Sequence, residues 1–200
     1  MHLAIIIGTA AGLIHITGYL LYMRSAFTGQ SQPNLASWLL WSVLTTANGL
    51  SYLTMSGDLV KSVIPIVGSF ATVAVFALSL RFGRFKKLDI ADKVALAIGA
   101  GAVALWWALR SATVANLLLQ VCFIISFTPT LRGVWRNSHA ERVAPWFTWC
   151  VADLFSIIVI ILRWRGQYQD LASPISGVIM STLVILFTFH KQKNRQRKRA

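Results

Sequence analysis

Acidic residues are scarce in this chain, and so are charged residues of any kind. Its 200 residues include 6 Asp and Glu against 19 Lys and Arg, and charged residues make up 12% of the sequence. A soluble domain has about 25% charged residues, so this composition excludes an ordinary soluble protein. The hydrophobic share of 56% and the mean hydropathy of +0.64 indicate a membrane protein instead.

The sequence also lacks the usual patterns of catalysis and metal binding. The two cysteines, Cys122 and Cys150, lie inside apolar runs and form no CxxC spacing, so we interpret both as packing residues. We find no nucleophile–base pair and no glycine-rich loop for a phosphate in the sequence. The sequence therefore predicts a protein that is not an enzyme and has no cofactor and no metal site.

Long apolar runs are abundant. A helix needs about 20 apolar residues to cross roughly 30 Å of hydrocarbon. Seven such runs predict an all-α integral membrane protein with seven transmembrane helices, at 3–23, 36–55, 60–81, 92–109, 112–131, 144–163 and 172–190.

The basic residues are distributed unequally between the two sides of this predicted bundle. The loops on the side of the C-terminus hold 15 of the Lys and Arg residues, and the opposite side has only Lys61, Arg110, Arg163 and Arg165. Cations concentrate on the cytoplasmic side, so the N-terminus is predicted outside and the C-terminus in the cytoplasm. We interpret the basic tail, 191–200, as binding anionic lipid headgroups. We expect an integral protein of a bacterial inner membrane, and the lack of an N-x-Ser/Thr sequon in the sequence is compatible with that localisation.

Two parts of the chain resemble each other. SWLLWSV at 37–43 matches PWFTWCV at 145–151, with both tryptophans of each segment aligned at a spacing of 108 residues. At a spacing of 109, Pro65 and Gly68 match Pro174 and Gly177. Helices one to three are therefore predicted to recur as helices five to seven.

The predicted fourth helix gives both repeats the same orientation, because a three-helix unit would otherwise emerge inverted. The predicted organisation is a first three-helix repeat at 1–87, a linker helix at 88–110, a second repeat at 111–190 and the basic tail. Parallel repeats of this kind are a transporter architecture, with the substrate site at the interface between the repeats.

The segment SFTPTLRGVWRNSHAERVAPWFTWCVADL (126–154) resembles the PQ-loop motif, in which one helix ends in Pro plus a polar residue and the next opens with Pro and aromatic residues. With the 3+1+3 arrangement, the whole chain is similar to the SWEET and PQ-loop superfamily of seven-helix solute transporters. Thr130 stands where the motif has Gln, and Leu21-Tyr22 stands there in the first half. Val67 and Ser176 lie where sugar-transporting members carry Asn. Receptors of the KDEL type share the fold that this resemblance implies, and they bind peptide termini.

Asp153 is the acidic residue predicted deepest in a span. It follows Pro145 by eight residues, which is about 12 Å of helix, and its counterpart in the first repeat is the uncharged Thr45. A charge at this depth predicts a proton relay or a substrate contact. The alternative is a protonated carboxyl group that is hydrogen-bonded to a neighbouring helix. In the PQ-loop proteins that the chain resembles, such an Asp is tied to proton coupling.

Other polar residues are predicted at similar depths. His15 is a candidate partner of Asp153, and the alternative is a hydrogen bond from His15 to a neighbouring backbone. Asn48, Thr45, Ser69, Ser156 and Ser181 are candidates for a polar cavity or for hydrogen bonds between helices. Asn116 and Gln120 are predicted at an outer vestibule.

Tryptophans and one proline are candidates for moving parts. Trp38, Trp41, Trp146 and Trp149 are predicted at the cytoplasmic ends of helices two and six, either as an interfacial belt or as an inner gate. Pro129 removes a backbone hydrogen bond, so it is either a hinge or a helix end. Gly12 and Gly18 are the corresponding flexible positions of helix one.

The sequence thus predicts a small membrane transporter or facilitator that moves a sugar or an amino-acid-like solute by alternating access. Asp153 would be the coupling or binding group, with Asn48, Ser156, Thr45 and His15 around it and with Pro129, Trp41 and Trp149 as hinge and gate. The alternative is a receptor or assembly factor of the same fold that binds a ligand without transporting it. Passive and proton-coupled transport, and association with a second copy of the chain, are left open.

Overall fold

The structure of the protein is a computed structural model. It describes residues 2–31, 35–82, 111–136 and 141–197, together with eight single positions between 90 and 108. Its seven α-helices outside that last region are α1 (His2–Phe27), α2 (Leu35–Ser56), α3 (Val63–Phe82), α4 (Ala112–Ser126), α5 (Thr128–Arg136), α6 (Val143–Leu162) and α7 (Ala172–Arg197). A short 3₁₀ helix, Tyr168–Leu171, precedes α7, and the described residues contain no strand.

Five helical segments of the described chain are long and apolar enough to cross a membrane. They are His2–Phe27, Val63–Arg81, Ala112–Arg136, Val143–Leu162 and Tyr168–Phe189. The expectation of an all-α integral membrane protein is therefore confirmed, while the count of seven spans stays a prediction. The predicted linker helix falls on residues 88–110, most of which lie outside the described residues.

The helix α2 is as long as the spans but is not among the five apolar segments. Its 22 residues include eight Ser, Thr and Asn side chains, which lower its mean hydropathy. Such a helix is stable between other helices, where polar side chains find hydrogen-bond partners, rather than alone in lipid. Its polar residues include Thr45 and Asn48, which line a cavity inside the bundle.

The predicted fifth helix is interrupted where the sequence places Pro129. The structure ends α4 at Ser126 and begins α5 at Thr128, so Pro129 lies in the first turn of a new helix. A proline has no N–H for the carbonyl four residues earlier, and here the N–H of Phe127 donates to the carbonyls of Ile124 and Ile125 instead. The helix break therefore has a local cause in the sequence.

Helices of one half of the chain pack against helices of the other half. α1 packs along α6, and α2 packs along α4, while α3 contacts α1 and α2, and α7 contacts α6. The first helix of each proposed repeat thus contacts the second helix of the other repeat. This is the contact pattern that the duplication predicts, and the superposition of the halves stays a prediction.

Close contact between α1 and α6 depends on glycine. A Cβ atom at Gly18 would lie 2.6 Å from Cδ1 of Trp149 and 2.7 Å from the hydroxyl of Thr148. Gly12 instead faces α3, since a Cβ atom there would lie 2.7 Å from Cγ1 of Val63. α1 is continuous from His2 to Phe27, so in this structure both glycines serve helix packing, as small residues do in membrane helix interfaces.

Candidate functional site

A cavity of about 100 Å³ lies between the two halves of the bundle. One water molecule needs about 10–15 Å³ of such space, so the cavity has room for several waters or a small solute. The side chains around it come from α1, α2, α3, α4, α6 and α7 and from Phe127. They include His15, Tyr19, Trp41, Thr45, Asn48, Thr72, Gln120, Phe123, Phe127, Trp146, Trp149, Asp153, Ser173 and Ser181.

Asp153 lines this cavity from α6 and is 7% exposed. Its carboxylate contacts Gly177 of α7 at the point where any larger residue would place its Cβ atom. Within the described part of the chain, its carboxylate has no hydrogen-bond donor and no cation. A buried acidic group without a protein partner is therefore open to the cavity.

His15 lines the same cavity from α1 but does not bind Asp153 in this structure. No hydrogen bond or ion pair joins the two side chains, and Nδ1 of His15 has no partner among the described residues. The imidazole ring lies against Tyr19, with 5.2 Å between the ring centroids. Gly68 lies beside His15 and Tyr19, but a Cβ atom there would be 3.5 Å from Nε2 of His15, which is an ordinary van der Waals distance.

Asn48 belongs to a network of amide side chains. Its Oδ1 accepts hydrogen bonds from Nδ2 of Asn116 at 2.8 Å and from Nε2 of Gln120 at 2.7 Å. Oε1 of Gln120 in turn accepts from the hydroxyl of Ser176 at 2.9 Å. The expected vestibule position of Asn116 and Gln120 is thus wrong, because both are buried and connect α4 to α2 and α7.

The hydroxyl groups predicted at the site have different positions. Thr45 lines the cavity, and its hydroxyl lies 2.6 Å from that of Thr72 on α3. The hydroxyl of Ser69 donates to the backbone carbonyl of Thr45. Ser181 lines the cavity, whereas Ser156 is buried outside its lining. The first-repeat candidates therefore form contacts between α2 and α3.

The four tryptophans of the repeat lie together at one end of the cavity. Ring centroids of Trp38 and Trp41 are 5.0 Å apart, as are those of Trp146 and Trp149, and Trp41 lies 6.2 Å from Trp146 across the two halves. All four are buried, with exposures of 2% to 7%. They therefore do not form an interfacial belt, which would face lipid. We call this group, with Tyr19, Tyr22 and Phe127, the aromatic end.

Polar groups fix three of these indole rings. Trp38 donates to the hydroxyl of Tyr22, Trp41 to the hydroxyl of Ser126 and Trp146 to the carboxylate of Glu141. The indole N–H of Trp149 has no acceptor in the described part of the chain. Glu141 precedes α6, and burial raises its pKa from 4.5 to about 8, although the hydrogen bond from Trp146 lowers it. Glu141 is not among the residues that the sequence predicts at the site.

Two ion pairs close the opposite end of the bundle, and we call them the ion-pair end. Nζ of Lys61 lies 2.7 Å from Oδ2 of Asp170, and both side chains are fully buried. Nε of Arg163 lies 2.7 Å from Oδ2 of Asp58. Burial raises the pKa of Asp58. Hydrogen bonds from Arg163 and from the backbone N–H groups of Lys61 and Val60 lower this pKa by more than burial raises it, so the pKa lies below its ordinary value of 3.8.

Both ion pairs connect the loop between α2 and α3 to the segment between α6 and α7. The sequence interpretation counted these cations only as evidence of orientation. A signal was present, because Lys61 and Asp170 are separated by the same 109 residues as Pro65 and Pro174. Equivalent positions near an axis that relates two repeats lie close to each other, and opposite charges there suit an ion pair.

Comparison of the chain with protein-family models, with curated proteins and with solved structures finds no match. The resemblance to the SWEET and PQ-loop superfamily therefore stays a prediction from the residues given above.

Proposed function

We propose that this protein is a small membrane transporter that moves a small polar solute by alternating access between its two three-helix halves. The observation that carries the proposal is the cavity with its buried Asp153, which has no partner among the described residues. Contacts that join the two halves enclose this cavity at both ends. A solute in this cavity would be released to one side when only one of these two ends separates.

The two ends are held by different kinds of contact. At the aromatic end, Trp41 contacts Trp146 and Ser126 of the other half. At the ion-pair end, Lys61 and Asp58 bind Asp170 and Arg163 of the other half. Neither set is covalent, so one end can open while the other keeps its contacts. Interhelical contacts of this strength can be exchanged on the time scale of transport.

The charge distribution supports one orientation of this transporter in the membrane. The ion-pair end carries three of the four cations that the sequence interpretation places outside, and two of them are within 2.7 Å of a carboxylate. Basic residues of the tail belong to the last turns of α7, which ends at Arg197 at the opposite end of the bundle. We propose the ion-pair end as the outer gate, the aromatic end with Trp41 and Trp149 as the inner gate, and anionic lipid as the surface that binds the tail.

The rival function is a receptor that keeps its ligand in the same cavity. A screen of the detergent-purified protein against sugars, amino acids and amines identifies solutes that raise the melting temperature. Each such solute is then tested for counterflow in proteoliposomes, with empty liposomes and the lipid-facing variant Phe70→Leu as controls. A transporter equilibrates labelled solute across the membrane. Saturable binding without flux would favour the receptor.

A further inference from the structure

We propose that the cavity binds a small organic cation, an amine or quaternary ammonium compound without a carboxylate group, with Asp153 as its counter-ion and the surrounding indole rings as its walls. This inference rests on the proposed function and names the substrate class for the same cavity. It is narrower than the sugar or amino-acid-like solute that the sequence suggests.

The charges around the cavity are the first argument. Asp153 is the one Asp or Glu in the described lining, and that lining contains neither Lys nor Arg. Among the described residues its carboxylate also has no partner, although a buried charge is strongly unfavourable without one. An organic cation provides the missing charge, whereas a neutral sugar does not.

The aromatic residues are the second argument. Trp149 precedes Asp153 by four residues, so both side chains lie on one face of α6. The ring of Tyr19 lies 5.0 Å from that of Trp149, and Trp41 and Trp146 also line the cavity. Tryptophan is the side chain that attracts an ammonium group most strongly through its ring face.

The amide network is the third argument, because it limits what the cavity offers to a sugar. The carbonyl oxygen of Asn48 already accepts two hydrogen bonds, and that of Gln120 accepts one from Ser176. Sugar hydroxyls need several free donors and acceptors, and a site whose polar groups bind each other provides few.

The absence of a cation from the described lining argues against an amino acid. The α-carboxylate of an amino acid is bound most strongly by Arg or Lys, and the described lining contains neither. Near Asp153 it would instead meet a second negative charge. The structure therefore favours an amine that carries no acidic group.

The test compares ligands of equal shape and different charge on the wild-type protein. Tryptophan fluorescence and melting temperature are measured in titrations with choline, tetramethylammonium and phenethylamine. Two controls accompany choline: 3,3-dimethyl-1-butanol, which replaces its nitrogen with carbon, and glycine betaine, which adds a carboxylate. We expect saturable responses to the cations and at least about tenfold weaker binding of both controls, which corresponds to about 1.4 kcal/mol.

Variants locate the effect. Asp153→Asn should weaken choline binding by about tenfold or more, because the amide carries no charge. Cys150→Ser on the same helix, outside the cavity lining, should bind as the wild type does. The ligand comparison needs no variant, so it decides the question even if Asp153→Asn does not fold.

Each outcome separates this inference from the proposed function. Equal binding of choline and 3,3-dimethyl-1-butanol, no response to any of the three cations, or preferential binding of a sugar would overturn the organic-cation site. Cation binding without flux in proteoliposomes would support the site and contradict the transporter. Flux of a neutral solute without cation binding would contradict the site and support the transporter.

Discussion

Asp153 differs from Asp58 and Asp170 in what neutralises it. Those two carboxylates are bound by Arg163 and Lys61, whereas Asp153 faces a cavity with no Lys or Arg in its described lining. The other titratable side chains that line this cavity are His15 and Tyr19, both on α1. Any proton that moves through the site in this conformation would have these groups as its neighbours.

We predict that Asp153→Asn keeps the fold, because the amide is nearly isosteric with the carboxyl group, and abolishes the pH dependence of uptake in proteoliposomes. His15→Gln should shift that dependence if the two groups share a proton in another conformation, since coupled groups titrate together. Circular dichroism and monodispersity control for folding. An unchanged pH profile in the Asn variant would identify Asp153 as a neutral packing residue.

Glu141 gives a second prediction, at the aromatic end. Its pKa is raised by burial from 4.5 to about 8, so between these values the folded protein keeps a proton that the unfolded chain releases. The contribution of Glu141 to stability should therefore be greatest below about pH 4.5 and decrease as the pH rises toward 8. Because Trp146 donates to Glu141, tryptophan fluorescence should change with a midpoint near pH 8.

The matched variant is Glu141→Gln, which keeps an acceptor for Trp146 but does not titrate. Its melting temperature and fluorescence should lose the transition near pH 8. A wild-type fluorescence titration with a midpoint near pH 4.5 would show that Glu141 is exposed to solvent in the membrane protein.

At the scale of the helix, side-chain polarity and small residues decide which elements meet. The polar α2 is paired with α4 through Asn48, Asn116 and Gln120, while the glycine-containing face of α1 receives α6. The break between α4 and α5 lies beside the aromatic end, since Phe127 contacts Trp41 and Trp146. A change in the angle of this break would move Phe127 relative to both tryptophans.

We predict that Gly18→Ala destabilises the contact between α1 and α6 by about 1–3 kcal/mol, because the new methyl group overlaps the rigid indole ring of Trp149. Gly133→Ala in α5 is the control, since a Cβ atom there meets nothing within 4 Å. That variant should be neutral or more stable by about 0.5–1 kcal/mol. Melting temperatures in detergent compare the two, and equal values would contradict the close packing at Gly18.

For the whole molecule, the two halves are joined at the ion-pair end by fully buried charges. We predict that Lys61→Met destabilises the protein by about 3–5 kcal/mol, because it leaves Asp170 buried without its partner. The control is the reversed pair, Lys61→Asp with Asp170→Lys. Since the predicted repeat would place these residues at equivalent positions, the reversed pair should recover most of the lost stability. If reversal is as harmful as the single change, the two sites are not equivalent.

Topology gives the last prediction for the whole molecule. In a background without Cys122 and Cys150, a cysteine at Thr28 should be labelled only from the cytoplasmic side and one at Tyr168 only from outside. Both positions are exposed, at opposite ends of the bundle. A membrane-impermeant maleimide applied to oriented vesicles measures this. Reversed labelling would overturn the orientation predicted from the distribution of Lys and Arg.

Membrane insertion was determined by the sequence alone, because the free energy of transfer into hydrocarbon is summed over residues and needs no knowledge of their partners. For the same reason the apolar runs predicted the described helices to within a few residues in most cases. The ends of the helices were less certain, as α7 shows by continuing to Arg197. The basic residues at its end favour a cytoplasmic position for that end, and they can also continue the helix in water.

The arrangement of the site was decided by the tertiary structure. Asn48 and Gln120 are 72 residues apart in the sequence, and Lys61 and Asp170 are 109 residues apart. Each pair is in contact only because of the way the helices pack against each other. A sequence shows that Asn48 is polar and deep, but not that its carbonyl is already occupied. The sequence also shows that Asp153 is an acidic residue in a span. That Asp153 has no partner among the described residues follows only from packing, because the rotation of each helix about its axis and its contacts with other helices decide which side chains meet.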